Sequence, residues 1–272
     1  MPEIQGGKLY GLGSNDAGGP LVAMLMAFLH LSAKKDKPYN LIFLATAEEE
    51  ISGKYGMEAM IEELGPVSLG IVGEPTNMEL VIAEKGLLVV DCTAKGKSGH
   101  AARGEGINAI YRAMEDICKI QHMELPLESK FLGPVKMTVS QIQGGVQHNV
   151  VPDTCRFVVD VRTNEHYSNQ AVLHLLEQNL AAEVKARSLR LNSSSIAETH
   201  PLVVKGRQMG LSLTGSPPLS DQALMPYPSL KIGPGHSARS HTADEFIRVD
   251  EITQGIRQLI ALLQDFGFEA GS

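Results

Sequence analysis

Acidic or histidine side chains follow four separate strand-like stretches of the sequence. Asp16 follows KLYGLGS, three glutamates at 48–50 follow LIFLATA, Glu74 follows SLGIV, and His241 lies in the loop after SLKIG. Ligands of open α/β sheets bind beyond the carboxyl ends of the strands, so these groups could converge on one point. Carboxylates together with a histidine suit zinc or a similar divalent ion. The pattern therefore predicts a metal site.

Each of these features also has a simpler interpretation when it is taken alone. Asp16 could cap the following helix, because Asp accepts hydrogen bonds from free N–H groups at a helix start. The three glutamates could form the solvated first turn of a helix, and Glu74 could be a turn residue before Pro75. A single histidine in a Gly/Ser-rich loop is most often polar surface. The shared position after strands is what favours the joint hypothesis of a metal site.

The run of three glutamates is the most informative of these features. If one carboxylate binds a divalent ion, its neighbour is free to act as a general base. A divalent ion lowers the pKa of water towards neutrality, and the base then removes the proton during attack on a substrate. Two adjacent acids on a sharp turn can therefore divide the roles of ligand and base, which predicts hydrolytic chemistry.

The composition and charge of the chain exclude several classes of protein. The 272 residues carry a formal net charge of −7, and the basic residues are scattered, so we expect no nucleic-acid partner. No apolar run approaches the ~20 residues that span a bilayer, and we expect no membrane association. Three widely spaced cysteines and the lack of a signal-peptide-like start predict a reducing, cytoplasmic location.

The order of helical and strand-like stretches predicts an α/β domain that a second domain interrupts. Residues 21–37 are typical of a largely buried helix, and residues 39–47 of a buried parallel strand. Together with a further helix and strand, they place the first part of an α/β domain with a mostly parallel sheet over residues 1–84. An inserted α+β sandwich is predicted over residues 85–195, and the α/β domain resumes over residues 196–272.

Within the inserted region, the apolar pattern predicts two helices among antiparallel strands. The first helix is expected over residues 105–121 and the second over residues 169–186. A final strand is expected over residues 187–195.

Motifs along nearly the whole chain resemble those of one enzyme family. The sequence contains, in the family's order, LYGLGSNDAGG, TAEEEISG, VGEPT, GKSGHAARGEGINAI, QHNVVPD, DVRTN and GPG…SHTADEF. These motifs are similar to those of the dinuclear zinc amidohydrolases and metallopeptidases, which include acetylornithine deacetylase, succinyl-diaminopimelate desuccinylase, aminoacylase and carboxypeptidase G. The resemblance is closest to acetylornithine deacetylase-like proteins. It implies a fold in which a zinc-peptidase-like catalytic domain carries an inserted lid and dimerisation domain.

The resemblance also implies a role for each candidate residue of the metal site. Asp16 matches the aspartate that bridges two zinc ions. Glu50 and His241 match the remaining ligands of one zinc, and Glu74 matches a ligand of the other. Glu49 matches the general base. The family binds two zinc ions per chain, for which cobalt can substitute in vitro.

The inserted domain carries further residues that match positions of the family. His100 matches a histidine that reaches the partner subunit's active site and stabilises the developing oxyanion. Asn149 and Arg162 match polar residues that hold the substrate, and the planar fork of an arginine suits a carboxylate. The resemblance thus implies a homodimer through residues 85–195 that acts on a small-molecule N-acyl amino acid.

The sequence departs from the family at one motif. Family members carry His-x-Asp on a strand upstream of LYGLGS, and its histidine completes one zinc site, whereas no His-x-Asp occurs in this sequence. We therefore expect a chain that is truncated at its N-terminus relative to the family. One zinc then keeps Asp16, Glu50 and His241, and the other keeps only Asp16 and Glu74.

Three hypotheses about function remain open at this stage. The first is hydrolysis of N-acetylornithine, or of N-acetylcitrulline or N-succinylornithine, to an ornithine-type product in arginine biosynthesis. The second is another desuccinylase, aminoacylase or dipeptidase of the same family, because no motif determines the acyl group or the side chain. The third is a catalytically incomplete chain that dimerises and binds one metal ion or none.

Overall fold

The computed structural model describes residues 3–35 and 37–264, which form six α-helices and fourteen strands. The helices are α1 (Gly19–Ser32), α2 (Met57–Leu64), α3 (Ala109–Gln121), α4 (Asn169–Asn179), α5 (Pro201–Gln208) and α6 (Val249–Leu263). The strands are β1 (Glu3–Gln5), β2 (Lys8–Tyr10), β3 (Gly70–Val72), β4 (Leu80–Glu84), β5 (Leu88–Lys95), β6 (Gly99–His100), β7 (Lys136–Gly144), β8 (Val150–Val151), β9 (Thr154–Arg162), β10 (Glu183–Ala186), β11 (Ser194–Ser195), β12 (Leu213–Ser216), β13 (Ser229–Lys231) and β14 (Phe246–Arg248). None of the helices in this part of the chain is long and apolar enough to cross a membrane.

The chain divides into two compact units. The first unit consists of Met1–Ala83, Ser195–Gly215 and Ser220–Ser272. The second consists of Glu84–Ser194 together with Ser216–Leu219. The candidate metal ligands all belong to the first unit.

The first unit combines helices with two small sheets, which confirms the α/β class. In one sheet β2 pairs with β1 on one side and with β14 on the other, both antiparallel. In the other sheet β13 lies between β3, to which it is parallel, and β4, to which it is antiparallel. Of these four pairs, β3–β13 is parallel and the other three are antiparallel.

Residues 39–47 form no strand, so the prediction of a buried strand there is wrong. Residues 40–46 have no regular secondary structure, and the Ile42 side chain is 59% exposed. A strand requires a neighbour that accepts and donates its backbone hydrogen bonds. Among the strands that the structure describes, none pairs with this segment, and β3 is the last strand of its sheet. Apolar composition alone does not show whether a neighbouring strand is present.

Helix α1 is buried along one side, whereas the sequence predicts a largely buried helix. Ala23, Ala27 and Leu31 are at most 1% exposed and lie on the side that packs against α6. Because nearly every position of α1 is apolar, the sequence offers no amphipathic contrast to show which side faces the core. The exposed side is also apolar, with exposures between 37% and 50% for Leu21, Val22, Leu25, Met26 and Leu29.

The second unit is built on an antiparallel sheet with the strand order β10-β5-β9-β7. Side chains of β5 and β9 alternate between buried and partly exposed, as expected for a sheet with one covered face. Helices α3 and α4 supply the other half of this core. The helix predicted over residues 105–121 is confirmed as α3, and the Asn108 side chain caps it by accepting a hydrogen bond from the Ile110 N–H at 2.9 Å.

The second predicted helix of this unit ends early, because a buried carboxylate binds the chain beyond it. Helix α4 stops at Asn179, and residues 183–186 form the edge strand β10 instead of continuing the helix. The fully buried Asp116 carboxylate accepts the backbone N–H groups of Ala181 and Ala182 at distances of 2.8–3.0 Å. These N–H groups are therefore unavailable for helical bonds. A strand is expected over residues 187–195, but within that range only Ser194–Ser195 form a strand.

Replacement of Asp116 is expected to destabilise the second unit strongly. Asp116→Ala leaves the backbone N–H groups of Ala181 and Ala182 without their acceptor, and the bond to Ala182 is buried, so the substitution should lower the free energy of unfolding by about 2–4 kcal/mol in urea denaturation. The matched control is Lys119→Ala, because Lys119 bonds to the same carboxylate but is half exposed. This control should change stability by less than about 1 kcal/mol. If both variants lowered the free energy of unfolding equally, the bonds from Asp116 to the backbone would not be the source of the stability.

Candidate metal centre

Three of the predicted ligands come together in the first unit. Ligand atoms of Asp16, Glu50 and His241 all lie within 4.8 Å of one another. His241 Nε2 lies 3.4 Å from Asp16 Oδ2 and 3.9 Å from Glu50 Oε2. The Asp16 side chain is 19% exposed, whereas those of Glu50 and His241 are 62% and 69% exposed. The group is thus open to solvent on one side and anchored at Asp16.

Asp16 lies in the turn Ser14–Gly18, which connects β2 to α1 and contains a cis peptide bond between Asp16 and Ala17. The turn closes through a backbone hydrogen bond of 2.8 Å from the Gly18 N–H to the Gly13 carbonyl. Gly13 has a φ of 80°, a left-handed conformation that glycine adopts easily. Helix α1 is capped by Gly18 and receives no side-chain capping bond. Helix capping therefore does not explain the isolated carboxylate of Asp16.

The three consecutive glutamates differ in their surroundings. Glu48 has a φ of 62°, and its carboxylate accepts the Tyr55 N–H at 3.0 Å, so it shapes the loop. Glu49 and Glu50 begin a short 3-10 helix, Glu49–Ile51, and α2 starts only at Met57. The glutamates are therefore not the first turn of an α-helix. Glu50 is directed to the ligand group, and Glu49 is its immediate neighbour in the chain.

His241 lies in a loop that is fixed from the side of α6. The short helix Ser237–Arg239 precedes it, and Thr242 Oγ1 donates to the Arg239 carbonyl at 2.8 Å. The Arg239 guanidinium makes two hydrogen bonds of 2.7 and 2.9 Å to Glu251 and lies 4.7 Å from the centre of the Phe246 ring. This doubly bonded ion pair with an aromatic contact restrains the loop that carries His241.

The Arg239–Glu251 pair makes part of the stability dependent on pH. Burial acts to raise the pKa of Glu251, but hydrogen bonds from Arg239 and from the Arg248 backbone outweigh it, so the pKa lies below the ordinary 4.5. A lowered pKa in the folded state stabilises the fold above the unfolded value, and this contribution is lost as the pH falls through the folded pKa.

We therefore expect Glu251→Gln to be less stable than the wild type by about 1–2 kcal/mol at pH 7 in urea denaturation. The difference should shrink as the pH falls below about 4.5. Glu63→Gln is a suitable control, because Glu63 is an exposed residue of the α2 helix. A difference that stayed constant between pH 7 and pH 3 would show that the ion pair does not titrate as argued.

Glu74 is not a member of the group of three. It follows β3 by two residues, and its backbone carbonyl accepts the Thr76 N–H at 2.8 Å. This bond is typical of the turn residue that its position before Pro75 also suggests. The structure thus brings three of the four predicted ligands together, and the ligand role of Glu74 stays a prediction.

The remaining predicted residues belong to the second unit. His100 ends β6, is exposed, and its Nδ1 accepts the Ala102 N–H at 3.2 Å. Asn149 is exposed beside β8, the strand that pairs with β6, and its carbonyl accepts the Ala101 N–H at 3.0 Å. Arg162 ends β9 and makes two hydrogen bonds of 2.8 and 3.1 Å to Asp160. His100 therefore lies in a two-stranded sheet, Asn149 lies next to that sheet, and Arg162 lies in another sheet.

Sequence reasoning did not find two buried polar residues next to the ligands. Asn15 precedes Asp16 and is fully buried, and Glu245 follows His241 by four residues and is 2% exposed. Their only signal in the sequence is proximity to a predicted ligand. Burial of such polar groups requires partners, and the partners become visible only in the folded chain.

The donor set fits a divalent cation. Nitrogen and oxygen ligands lie about 2.0–2.2 Å from zinc, so two ligands of one ion are at most about 4.4 Å apart. The separations of 3.4 and 3.9 Å from His241 fall within that limit. Two carboxylates and one imidazole are typical of zinc and of other divalent metals, and the set does not discriminate between them.

Known proteins resemble this chain in sequence and in fold. The sequence matches the model of the M20 peptidase dimerisation domain over residues 82–188, nearly the whole of the second unit. It is also 35% identical over 179 residues to an acetylornithine deacetylase of Myxococcus xanthus. The second unit is therefore similar to an M20 peptidase dimerisation domain. The match to the Myxococcus protein spans 63% of this chain but only 46% of that protein.

Solved structures share the fold of this chain at low sequence identity. The aminopeptidase PepT from Bacillus cereus superimposes with a TM-score of 0.74 at 21% identity, over 97% of this chain and 75% of that one. The YXEP protein of Bacillus subtilis, described as a dinuclear metal binding peptidase of the M20 family, has a TM-score of 0.57 at 20% identity. That match covers 79% of this chain and 61% of the Bacillus subtilis chain.

Proposed function

We propose that the chain is a metal-dependent amidohydrolase that cleaves the amide bond of an N-acyl amino acid. The observation that carries the proposal is the group formed by Asp16, Glu50 and His241, with the carboxylate of Glu49 next to it in the chain. The proposed substrate is N-acetylornithine, or N-acetylcitrulline or N-succinylornithine, in arginine biosynthesis. The similarity to the Myxococcus xanthus acetylornithine deacetylase supports this choice.

Asp16, Glu50 and His241 would hold the divalent cation, and zinc is the proposed metal. When bound, the cation supplies Lewis-acid chemistry, because it acidifies water and polarises the amide carbonyl. A second zinc, with Asp16 shared and Glu74 as a ligand, is part of the proposal. Cobalt is the proposed substitute in vitro.

Glu49 is the proposed general base. It takes a proton from the attacking water as the new C–O bond forms, and it returns the proton to the leaving nitrogen as the C–N bond breaks. The products are a carboxylate and a free amine. One residue can serve in both steps because a carboxylate that has accepted a proton becomes the acid for the next transfer.

The second unit supplies the proposed substrate contacts. His100 would stabilise the oxyanion in the partner subunit's site, and Asn149 and Arg162 would hold the substrate carboxylate. Arg162 is paired with Asp160 in this structure, so the substrate would have to share or replace that partner. This assignment requires a homodimer through residues 85–195, which the match to a dimerisation domain supports. A cytoplasmic location completes the proposal.

Metal content and hydrolysis, measured on the same sample, test the proposed function. The purified chain is loaded with zinc, desalted and analysed for zinc per chain, and then assayed for release of free amine. The panel contains N-acetylornithine, N-acetylcitrulline, N-succinylornithine, N-succinyldiaminopimelate and a dipeptide. Bound zinc and preferential cleavage of N-acetylornithine support the proposal. If zinc binds but another compound of the panel is cleaved preferentially, the proposed substrate is wrong and that compound takes its place. If the chain neither binds zinc nor hydrolyses any compound, it is catalytically incomplete.

A further inference from the structure

Asn15 and Glu245 are buried polar residues for which the proposed mechanism has no role. A carboxylate and an amide are rarely placed in a protein interior unless hydrogen bonds compensate for lost water. Both residues lie directly behind the ligand group, and their bonds join segments that are more than 200 residues apart in sequence. Their contacts show what this buried pair does.

Glu245 holds the backbone that carries Asp16. Its Oε1 accepts the N–H of Asn15 at 2.8 Å and the N–H of Asp16 at 2.9 Å. Bonds from N–H groups to a carboxylate are stronger than bonds between neutral partners. The carboxylate therefore sets the orientation of the two peptide units on either side of the Asn15 Cα atom, and the second of these leads directly into Asp16.

Glu245 is itself attached to a rigid part of the fold. Its carbonyl accepts the Gly11 N–H at 3.0 Å, and the next residue, Phe246, pairs with Tyr10 in the sheet formed by β2 and β14. The turn that follows β2 is therefore bonded to a residue that directly precedes the neighbouring strand β14. A side chain that adjoins a paired strand positions its partners more accurately than one within a loop.

Asn15 links the same turn to the loop that carries His241. Its Nδ2 donates to the His236 carbonyl and to Ser240 Oγ, both at 3.1 Å, and its Oδ1 accepts the His236 N–H at 3.0 Å. The loop approaches closely: a Cβ atom on Gly235, whose φ is +91°, would lie 2.5 Å from Asn15 Oδ1. Three bonds from one buried amide therefore fix the distance between the Asp16 turn and the His241 loop.

We propose that Glu245 and Asn15 are positioning residues, which hold Asp16 and His241 at ligand separation before a cation binds. The proposal rests on the proposed function, because it assumes that the ligand group binds a divalent cation. The ligands themselves are more exposed and hold each other only loosely, so their geometry is imposed from the buried side. Removal of groups that orient metal ligands typically weakens metal binding 10–100-fold.

The test compares two substitutions of Glu245. Glu245→Ala removes the acceptor of both N–H groups, whereas Glu245→Gln keeps an oxygen that can accept them. We expect the dissociation constant for Co²⁺, measured by titration of the full chain, to rise about 10–100-fold in Glu245→Ala. Glu245→Gln should recover most of that loss. In metal-free protein, hydrogen exchange at the Asn15 and Asp16 amides should accelerate in Glu245→Ala and stay close to wild type in Glu245→Gln.

Asp116→Ala is the matched control for general loss of stability. Asp116 is also a buried carboxylate that accepts two backbone N–H groups, but it belongs to the second unit. It should lower stability without changing the dissociation constant for Co²⁺ per folded chain. Asn15→Ala serves as an independent variant should Glu245→Ala not fold, and it should weaken Co²⁺ binding in the same direction.

The outcomes separate this inference from the proposed function. If the wild type binds Co²⁺ and Glu245→Ala and Asn15→Ala bind it equally well per folded chain, the positioning role is overturned and the proposed function stands. If the wild type binds neither Co²⁺ nor Zn²⁺, the proposed function fails, and the positioning role fails with it. Weaker binding and faster amide exchange in Glu245→Ala, with recovery in Glu245→Gln, support the proposal.

Discussion

Glu49→Gln is expected to retain the bound metal and to lose amide hydrolysis by about 10²–10⁴-fold in kcat. The amide of glutamine has nearly the shape of the carboxylate but cannot accept a proton from water. Glu49 is not a member of the ligand group, so the affinity for Zn²⁺ or Co²⁺ should change little. The measurement is zinc per chain together with the initial rate on the best substrate of the panel.

The neighbouring glutamates provide matched controls for Glu49→Gln, because the same Glu→Gln substitution can be made at three consecutive positions. Glu48→Gln should keep activity within a few-fold of the wild type, since the amide oxygen can still accept the Tyr55 N–H that shapes the loop. Glu50→Gln should lose both metal and activity, because a neutral amide is a weaker ligand than a carboxylate. If Glu48→Gln and Glu49→Gln lowered kcat equally, Glu49 would not be the general base.

Periodicity predicted the second unit better than the first. Strands β5 and β9 have one buried and one partly exposed side, and helix α3 lies within the range that its apolar pattern predicts. The first unit lacks that contrast, since residues 39–47 and α1 are apolar at nearly every position. A strand also depends on a neighbouring strand, and no local pattern shows whether that neighbour is present.

The sequence predicted the three candidate ligands that the structure brings together, but it did not predict the buried residues that hold them. Asp16, Glu50 and His241 are chemically conspicuous, because each is a possible metal ligand in a segment that follows an apolar stretch. Asn15 and Glu245 are ordinary residues in polar loops, and their importance comes from hydrogen bonds across sequence separations of 221–230 residues. Only the fold reveals such bonds, and the same holds for the Asp116 carboxylate that ends α4.

Asp16→Ala is expected to abolish metal binding in the first unit while leaving the fold intact. The substitution removes the least exposed of the three ligands, and the two that remain, Glu50 and His241, are both more than 60% exposed. Because a cation gains little from two exposed ligands that water can replace, zinc should fall below about 0.1 per chain after desalting. The Asn15 and Asp16 backbone N–H groups keep their bonds to Glu245, so the melting temperature of the metal-free protein should be unchanged.

The control for Asp16→Ala is Asp244→Asn, which removes an exposed negative charge beside Glu245 without touching the ligand group. It should hold zinc as the wild type does, which would exclude a general effect of lost negative charge. Asp16→Asn adds a sharper comparison, because an amide preserves the volume of the side chain and loses only the charge. If Asp16→Ala still bound zinc at the wild-type level, the cation would have to be held by other residues. The assignment of Asp16, Glu50 and His241 as the metal centre would then be wrong.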